Sequence, residues 1–311
     1  MTKSEPHTTD RPDAGSENSH RRLERVVVGV DGSPGSLEAL EWAAEEADKA
    51  DAELTAILAW PYGELASNEL REVRRMSCEL KDRMAAVHPT VNMRCVVYED
   101  YPAVSLIEAS KDADLLVLGS RGHGGFVGLL LGSIGQHCLN HAPCSVAIVR
   151  PREERDPSTP ERHHVVVGVD GSDDSNLALH WAVDEALRRG AELDVVGCWV
   201  FPRSSTYLFA ADVGVPEAAK QVVADAVAYV GEVAPQLVVH GQCREDPPAL
   251  VLTEASRSAD LIVIGSRGLG AFRGLLLGSV SHHLAHHGHC PLMVVRNYRV
   301  PRHHDLSVGV A

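Results

Sequence analysis

The feature that most constrains this chain is a repeat, because its 311 residues contain two copies of one pattern. The segment VVVGVDGS at residues 26–33 returns unchanged at residues 165–172. Residues 113–133 return at 259–279 with 16 of 21 positions identical. The offset is 139 residues in the first block and 146 in the second, so the second copy has seven additional residues, which we place around Phe201–Val215. Two such copies predict two domains of one fold.

The repeat also predicts where the domains begin and end. We place the first domain at residues 23–150 and the second at residues 163–297. Residues 151–162 read PREERDPSTPER, a charged and proline-rich composition that is typical of an exposed linker. The polar N-terminal residues 1–22 and the tail at 298–311 are predicted to be disordered.

Each copy alternates strand-like and helix-like segments. Val26–Val30 is a short β-branched run, and Ser36–Ala50 carries small and apolar residues with a helical period. Leu115–Leu118 is apolar on both faces, which is typical of a central parallel strand covered by helices. The predicted order is βαβαβαβαβ in each copy. The fold class is therefore α/β, with two tandem Rossmann-like domains, each a doubly wound, five-stranded parallel sheet.

The composition narrows the possible partners and the compartment. A formal charge of −14 argues against sequence-independent nucleic-acid binding and against an anionic membrane surface. A local phosphate site remains possible, because backbone N–H groups bind anions without side-chain charge. Residues 1–22 contain no apolar leader, so we expect a cytoplasmic protein. The seven cysteines include no CxxC pair, and we expect reduced, mostly buried thiols.

A glycine motif follows the fourth predicted strand of each copy. It reads GSRG, then nine residues, then GS, at residues 119–133 and again at 265–279. Closely spaced glycines let several N–H groups point into one concavity, which suits phosphate oxygens. Ser133 is expected to cap the next helix or to lie in its first turn, where unpaired N–H donors also favour an anion. A plain turn is the alternative interpretation, and the exact duplication of the spacing favours phosphate binding.

An aspartate ends the first predicted strand of each copy, at Asp31 and Asp170. In a doubly wound sheet, ligands bind where the strand order reverses, at the carboxyl ends of the diverging strands. If strands one and four are those neighbours, the aspartate and the glycine loop face each other. This arrangement suits a nucleotide, with its phosphates in the loop and its ribose or base near the aspartate. The alternative is that Asp-Gly-Ser only forms a turn.

Other motifs are absent or less convincing. The glycine motif lacks the lysine of a Walker A loop, and the dinucleotide fingerprint would follow the first strand of its unit. No catalytic constellation is evident, so we predict no catalytic residues. The histidine pairs His282/His286 and His283/His287 have a spacing that could bind zinc, but an exposed helix face is the favoured interpretation, and no metal site is predicted.

Together, the glycine motif and the strand-end aspartate closely resemble those of the universal stress protein family, in its tandem two-domain, actinobacterial type. The resemblance covers nearly the whole chain and implies that ATP, with or without Mg²⁺, binds in each copy. The implied contacts in the first copy are Gly29, Asp31, Ala59, Gly119, Ser120, Arg121, Gly122, His123, Gly124, Gly125, Gly132, Ser133 and Ile134. Those in the second copy are Gly168, Asp170, Cys198, Gly265, Ser266, Arg267, Gly268, Leu269, Gly270, Ala271, Gly278, Ser279 and Val280.

The resemblance assigns roles to these positions. The aspartates would contact the adenosine end, the glycine loops would hold the phosphates, and Ala59 and Cys198 would offer backbone contacts to adenine. His123 and Gly125 are replaced in the second copy by Leu269 and Ala271, which predicts a second pocket that is less permissive or differs in affinity.

The resemblance implies an ATP-dependent regulator of stress adaptation or slowed growth, not primarily an enzyme. A slow ATPase is the alternative. The expected partners are an adenine nucleotide, an unidentified regulatory protein and a second copy of the chain in a homodimer. Neither nucleic acid nor a membrane is expected.

Overall fold

A computed structural model describes residues 23–60, 67–122, 131–150, 163–200, 216–269 and 276–296. The predicted linker, both termini and the predicted insertion lie outside these ranges, so the predicted domain bounds stay predictions. The elements of the first copy are β1 (Arg25–Gly29), α1 (Pro34–Ala50), β2 (Glu53–Trp60), α2 (Ser67–Val87), β3 (Met93–Glu99), α3 (Pro102–Ala109), β4 (Leu115–Gly119), α4 (Ser133–His141) and β5 (Ser145–Val149).

The second copy repeats this order. Its elements are β6 (His164–Val169), α5 (Asp173–Arg189), β7 (Glu192–Cys198), α6 (Glu217–Val233), β8 (Val239–Arg244), α7 (Pro248–Ala255), β9 (Leu261–Gly265), α8 (Ser279–His287) and β10 (Leu292–Val295). The predicted alternation is confirmed, and the strand and helix bounds derived from periodicity agree with the structure to within two residues.

The strand order places the switch point where the glycine motif requires it. Strands run in the order β3-β2-β1-β4-β5 in the first copy, and β8-β7-β6-β9-β10 in the second. β1 pairs in parallel with both β2 and β4, so the crevice between β1 and β4 opens at their carboxyl ends. β6 has the same two neighbours in the second copy, β7 and β9. The doubly wound topology predicted for each copy is therefore confirmed.

The two sheets join into one, which the sequence did not predict. β5 and β10 pair antiparallel, with Ala147 opposite Met293, and this pairing makes a single ten-stranded sheet. Both strands are buried along their whole length. Apolar clusters on each face of the sheet contain residues of both copies. α1, α2, α5 and α6 cover one face, and α3, α4, α7 and α8 cover the other.

Two equivalent arginines connect the copies on the face covered by α4 and α8. Arg150 follows β5 and donates to the Ala285 carbonyl near the end of α8, at 2.6 Å. Arg296 follows β10 and donates to the Ala142 carbonyl at 2.7 Å and also to the Leu139 carbonyl, at the end of α4. Each guanidinium therefore supplies donors to the last carbonyls of the other copy's helix, where a positive charge is favoured.

Two equivalent glutamates meet on the opposite face, between α1 and α5. Glu46 and Glu185 are both fully buried, and Arg189 forms ion pairs with each of them. Burial, together with the nearby Glu185 carboxylate, raises the pKa of Glu46 to about 7 against the opposing effect of Arg189 and Lys49. Burial acts in the same direction on Glu185, but Arg188 and Arg189 outweigh it and hold the pKa of Glu185 below its ordinary value. The proximity of the Glu185 side chain therefore favours the protonated form of Glu46.

We expect Glu46→Gln to stabilise the protein at about pH 8 and to change little at about pH 5. Because the pKa of Glu46 is raised on folding from 4.5 to about 7, the folded state holds the proton through that window and stability falls as the pH rises. Glutamine mimics the protonated form, so the gain in unfolding free energy at about pH 8 is roughly 3 kcal/mol. Urea unfolding at both pH values measures it.

The control for this prediction is Glu45→Gln on the same helix. Glu45 is half exposed and contacts Lys49 only at 4.0 Å. We expect a change of less than about 1 kcal/mol at either pH. A Glu46→Gln variant that is less stable than the parent at about pH 8 would show that Glu46 is ionised in the folded state at a low pKa.

The cysteines differ in part from expectation. None of the seven forms a disulfide, but only Cys138, Cys144 and Cys290 are buried, while Cys78 is exposed and the other three are half-buried. The prediction of mostly buried thiols is wrong, because the half-buried cysteines lie on outer strands of the sheet or at a strand end. Burial raises the pKa of Cys138 and of Cys144 to about 12, which keeps both as thiols. No helix within the described ranges is long and apolar enough to cross a membrane.

Candidate nucleotide site

The turn after β1 is fixed by the side chain of Asp31. Its Oδ1 accepts hydrogen bonds from the Ser33 backbone N–H at 3.0 Å and from the Ser33 hydroxyl at 2.6 Å. Gly32 has φ +85°, a left-handed conformation that favours glycine. This conformation explains why a glycine follows Asp31. Ser33 Oγ in turn accepts from the Ser36 N–H and caps α1.

The same turn forms in the second copy with matching distances. Asp170 Oδ1 accepts from the Ser172 N–H at 3.0 Å and from its hydroxyl at 2.6 Å, and Gly171 has φ +84°. The turn-forming interpretation of the aspartates is therefore confirmed for Oδ1. The other carboxylate oxygen takes no part in this turn.

Oδ2 of each aspartate faces the glycine loop. A Cβ atom at Gly122 would overlap Oδ2 of Asp31, and one at Gly268 would overlap Oδ2 of Asp170. In the second copy Asp170 Oδ2 also accepts from the Leu269 backbone N–H at 2.9 Å. The aspartate and the loop therefore lie in contact across the switch point, as the motif spacing predicts, and only glycine fits at the contact.

The loop begins where β4 meets the start of α1. A Cβ at Gly119 would lie 2.6 Å from the Gly35 carbonyl oxygen, so the strand end and the helix approach each other too closely for a side chain. The Ser120 N–H donates to the Val149 carbonyl, and the Gly132 N–H donates to the Ser120 carbonyl. These bonds fix both ends of the loop around the first turn of α4.

Ser133 lies in the first turn of α4 and is not its cap. Gly132 is the capping residue, with extended backbone angles and no side-chain bond. Gly278 and Ser279 repeat this arrangement at α8. Of the two placements expected for the serine, the structure selects the first turn, where the hydroxyl lies beside unpaired N–H groups of the helix.

The remaining predicted contacts separate into four groups. Ala59 and Cys198 lie at the carboxyl ends of β2 and β7, next to the switch point, and both are half-buried. A Cβ at Gly29 would meet Leu106 and Leu118, so the missing side chain of Gly29 makes room for the core below α3. Gly168 repeats this packing in the second copy. Ile134 and Val280 follow the serines in the first turns of α4 and α8. The predicted contacts outside the described residues are His123, Gly124, Gly125, Gly270 and Ala271.

One predicted phosphate contact has an unsatisfied polar atom. Ser120 is 1% exposed, and its hydroxyl has no hydrogen-bond partner within the described part of the chain. A buried hydroxyl without a partner is costly, which is a reason to expect a ligand atom or a water there. The Ser120 hydroxyl is therefore a candidate hydrogen-bond donor to a ligand at the first pocket.

Sequence reasoning missed one residue of the second pocket, Asp174. It is buried, and its Oδ2 accepts from the Ser266 hydroxyl at 2.7 Å and from the Arg267 N–H at 3.1 Å. The position equivalent to Asp174 in the first copy is Gly35. Aligning PGS with DDS after the shared DGS of the two copies would have identified this difference.

The histidine pairs lie mostly on exposed helix surface. The rings of His282 and His286 are 4.7 Å apart, and those of His283 and His287 are 4.4 Å apart. His286 Nε2 also lies 2.9 Å from the Gln136 side-chain oxygen, which connects α8 to α4. Burial, with neighbouring imidazoles, lowers the pKa of His286 and His283. In the described ranges no three His, Cys, Asp or Glu side chains are arranged to hold a metal ion.

Comparison with known proteins agrees with this fold. The model of the universal stress protein family matches residues 22–150 and again residues 161–296. The chain therefore belongs to the universal stress protein family.

Similar two-domain proteins occur in mycobacteria. A universal stress protein of Mycobacterium tuberculosis is 34% identical over 285 residues, covering 87% of this chain and 96% of that protein. One from Mycolicibacterium smegmatis is 32% identical over 286 residues, with the same coverage. Among solved structures, a universal stress protein from Archaeoglobus fulgidus covers 88% of this chain and 96% of its own, with a TM-score of 0.61 and 22% identity. That last likeness concerns the fold alone.

Proposed function

We propose that the chain is an ATP-binding regulator acting in stress adaptation or slowed growth, with one nucleotide pocket in each copy. The observation that carries the proposal is the contact between a strand-end aspartate and a glycine of the loop, present in both copies. ATP would lie with its phosphates along the loop and the first turn of α4 or α8, and its adenosine end near the aspartate and the second strand. Mg²⁺, where present, would accompany the phosphates.

ATP in this proposal is a ligand and not a substrate. A bound nucleotide shifts a conformational equilibrium only by its differential affinity for the two states. The loop lacks the lysine that supports phosphoryl transfer in Walker A proteins, so slow turnover is expected. A homodimer, a regulatory protein partner and a cytoplasmic location stay predictions.

Binding and turnover measured on the same preparation test this proposal. Calorimetric titration of the full chain with ATP, AMP and GTP is expected to show saturable binding of ATP at up to millimolar concentrations and weaker binding of GTP. Phosphate release in the presence of Mg²⁺ is expected to be negligible over the hours of the titration. ATP turnover faster than about 1 per second lies in the range of ordinary enzymes. Such a rate would show that the protein is an ATPase and not a regulator that binds ATP as a ligand.

A further inference from the structure

The two pockets differ in charge directly below the glycine loop. In the second copy, Asp174 lies in the first turn of α5 and is 8% exposed. Its carboxylate takes hydrogen bonds from two groups at the start of the loop, the Ser266 hydroxyl and the Arg267 N–H. The Arg267 guanidinium is also near, with Nε at 3.6 Å from Oδ2. The loop therefore already holds an anion that belongs to the protein.

The first copy has no acidic side chain at this position. Gly35 replaces the aspartate, and a Cβ there would lie 2.9 Å from the Arg121 carbonyl oxygen, so the loop lies closer to the helix than a side chain allows. The Ser120 hydroxyl is equivalent to the Ser266 hydroxyl that Asp174 accepts from. It is buried and has no hydrogen-bond partner among the described residues. The same hydroxyl is thus satisfied in one pocket and unsatisfied in the other.

We propose that Asp174 makes the two pockets unequal, so that the first pocket binds a nucleoside triphosphate more tightly than the second. This inference rests on the proposed function, because it assigns an order of affinity to the same two sites. The Asp174 carboxylate occupies donors of the second loop and repels additional negative charge. The repulsion is weakly screened because the carboxylate is buried.

The proposal also predicts a dependence on ligand charge. A triphosphate brings more negative charge to the loop than a monophosphate, so Asp174 penalises ATP more than AMP. The affinity ratio between the two pockets is therefore expected to be larger for ATP than for AMP. A difference caused only by the shape of the loop would give a similar ratio for the two ligands.

The experiment is a calorimetric titration of the full chain with ATP and then with AMP. The parent is expected to show one tight site and one site at least tenfold weaker for ATP. Gly268→Asp should leave only the tight site, and Gly122→Asp only the weak one, which assigns them. Asp174→Asn, and independently Asp174→Gly as in the first copy, should tighten the weak site about tenfold. Thermal unfolding of each variant confirms that it is folded.

Asp173→Asn is the matched control. Asp173 precedes Asp174 on the same helix turn and is exposed, so the substitution changes the net charge equally without touching the loop. It is expected to leave both sites unchanged. Two equal ATP sites, or a weak site that neither Asp174 variant tightens, would overturn this inference while leaving the proposed function intact. Absence of binding at both sites would overturn the proposed function itself.

Discussion

Replacing Gly122 and Gly268 together by aspartate is expected to lower ATP affinity at least 100-fold while the protein remains folded. A Cβ at either position overlaps an oxygen of the facing aspartate, so the loop must move away from the strand end. The new carboxylate also places a second negative charge beside the predicted phosphate position. A 100-fold loss corresponds to about 2.7 kcal/mol, which is within reach of one badly placed charge at a partly desolvated site.

The matched control is Gly231→Asp. Gly231 lies in α6, is exposed, and has no atom within 4 Å of the position of a Cβ, so the same chemical change meets no obstacle there. Calorimetry with ATP should give unchanged affinity for this variant and no measurable heat for the double variant. If the double variant is folded and still binds ATP like the parent, the glycine loops are not the nucleotide site.

The largest expected effect on stability comes from replacing Arg150 and Arg296 with methionine. Arg150 is 5% exposed, and the two guanidiniums supply donors to carbonyls at the ends of α8 and α4. Burial lowers the pKa of Arg150 to about 10, still high enough for the side chain to be charged at neutral pH. Methionine is an unbranched apolar side chain that replaces the stem of arginine without its guanidinium. The helix-end carbonyls are then left unsatisfied, which costs about 2–3 kcal/mol for each arginine.

Urea unfolding of the full chain measures this effect. The double variant should lose about 5 kcal/mol, and its transition should broaden or divide because the contact between the copies is weakened. Arg257→Met is the control, since Arg257 pairs with Glu254 on the surface and its side chain is 57% exposed. The control should lose less than about 1 kcal/mol. A double variant as stable as the control would mean that the arginines do not hold the copies together.

The order of elements and the place of the site could be predicted from the sequence because both follow from local patterns. Short runs of β-branched and apolar residues predict the strands, and a helical period predicts the helices. The parallel strands then bring Asp31 and the glycine loop to one edge of the sheet. Because the motif occurs in both copies, each assigned position is supported twice. The contact between the aspartate and Gly122 therefore follows from pattern and topology together.

The contacts between the copies could not be predicted in this way. The pairing of β5 with β10, the meeting of Glu46 with Glu185 and the arginine contacts join residues about 140 positions or more apart. The pattern of residues within a strand does not specify which other edge strand it pairs with. Apolar edge strands must be covered, so an apolar run such as VAIV in β5, the edge strand of the first copy, indicates that a partner covers it but does not identify that partner.

The sequence predicts the roles of single residues only in part. The turn and the ligand interpretations of Asp31 were both open, and the structure shows that one oxygen forms the turn while the other faces the loop. Asp174 lies at a position that the two copies do not share, so the match between the copies gives no signal for it. It contacts the start of the second loop, and the equivalent residue of the first copy is the uncharged Gly35.

The central claim is that each copy binds an adenine nucleotide at its glycine loop. Equilibrium dialysis of the folded, full-length protein against labelled ATP at about 1 mM, with bound nucleotide counted per chain, tests it most directly. We predict close to two ATP molecules per chain, falling to one in either single Gly→Asp variant. A folded preparation that binds none at this concentration, or a count that the variants leave unchanged, would contradict the account.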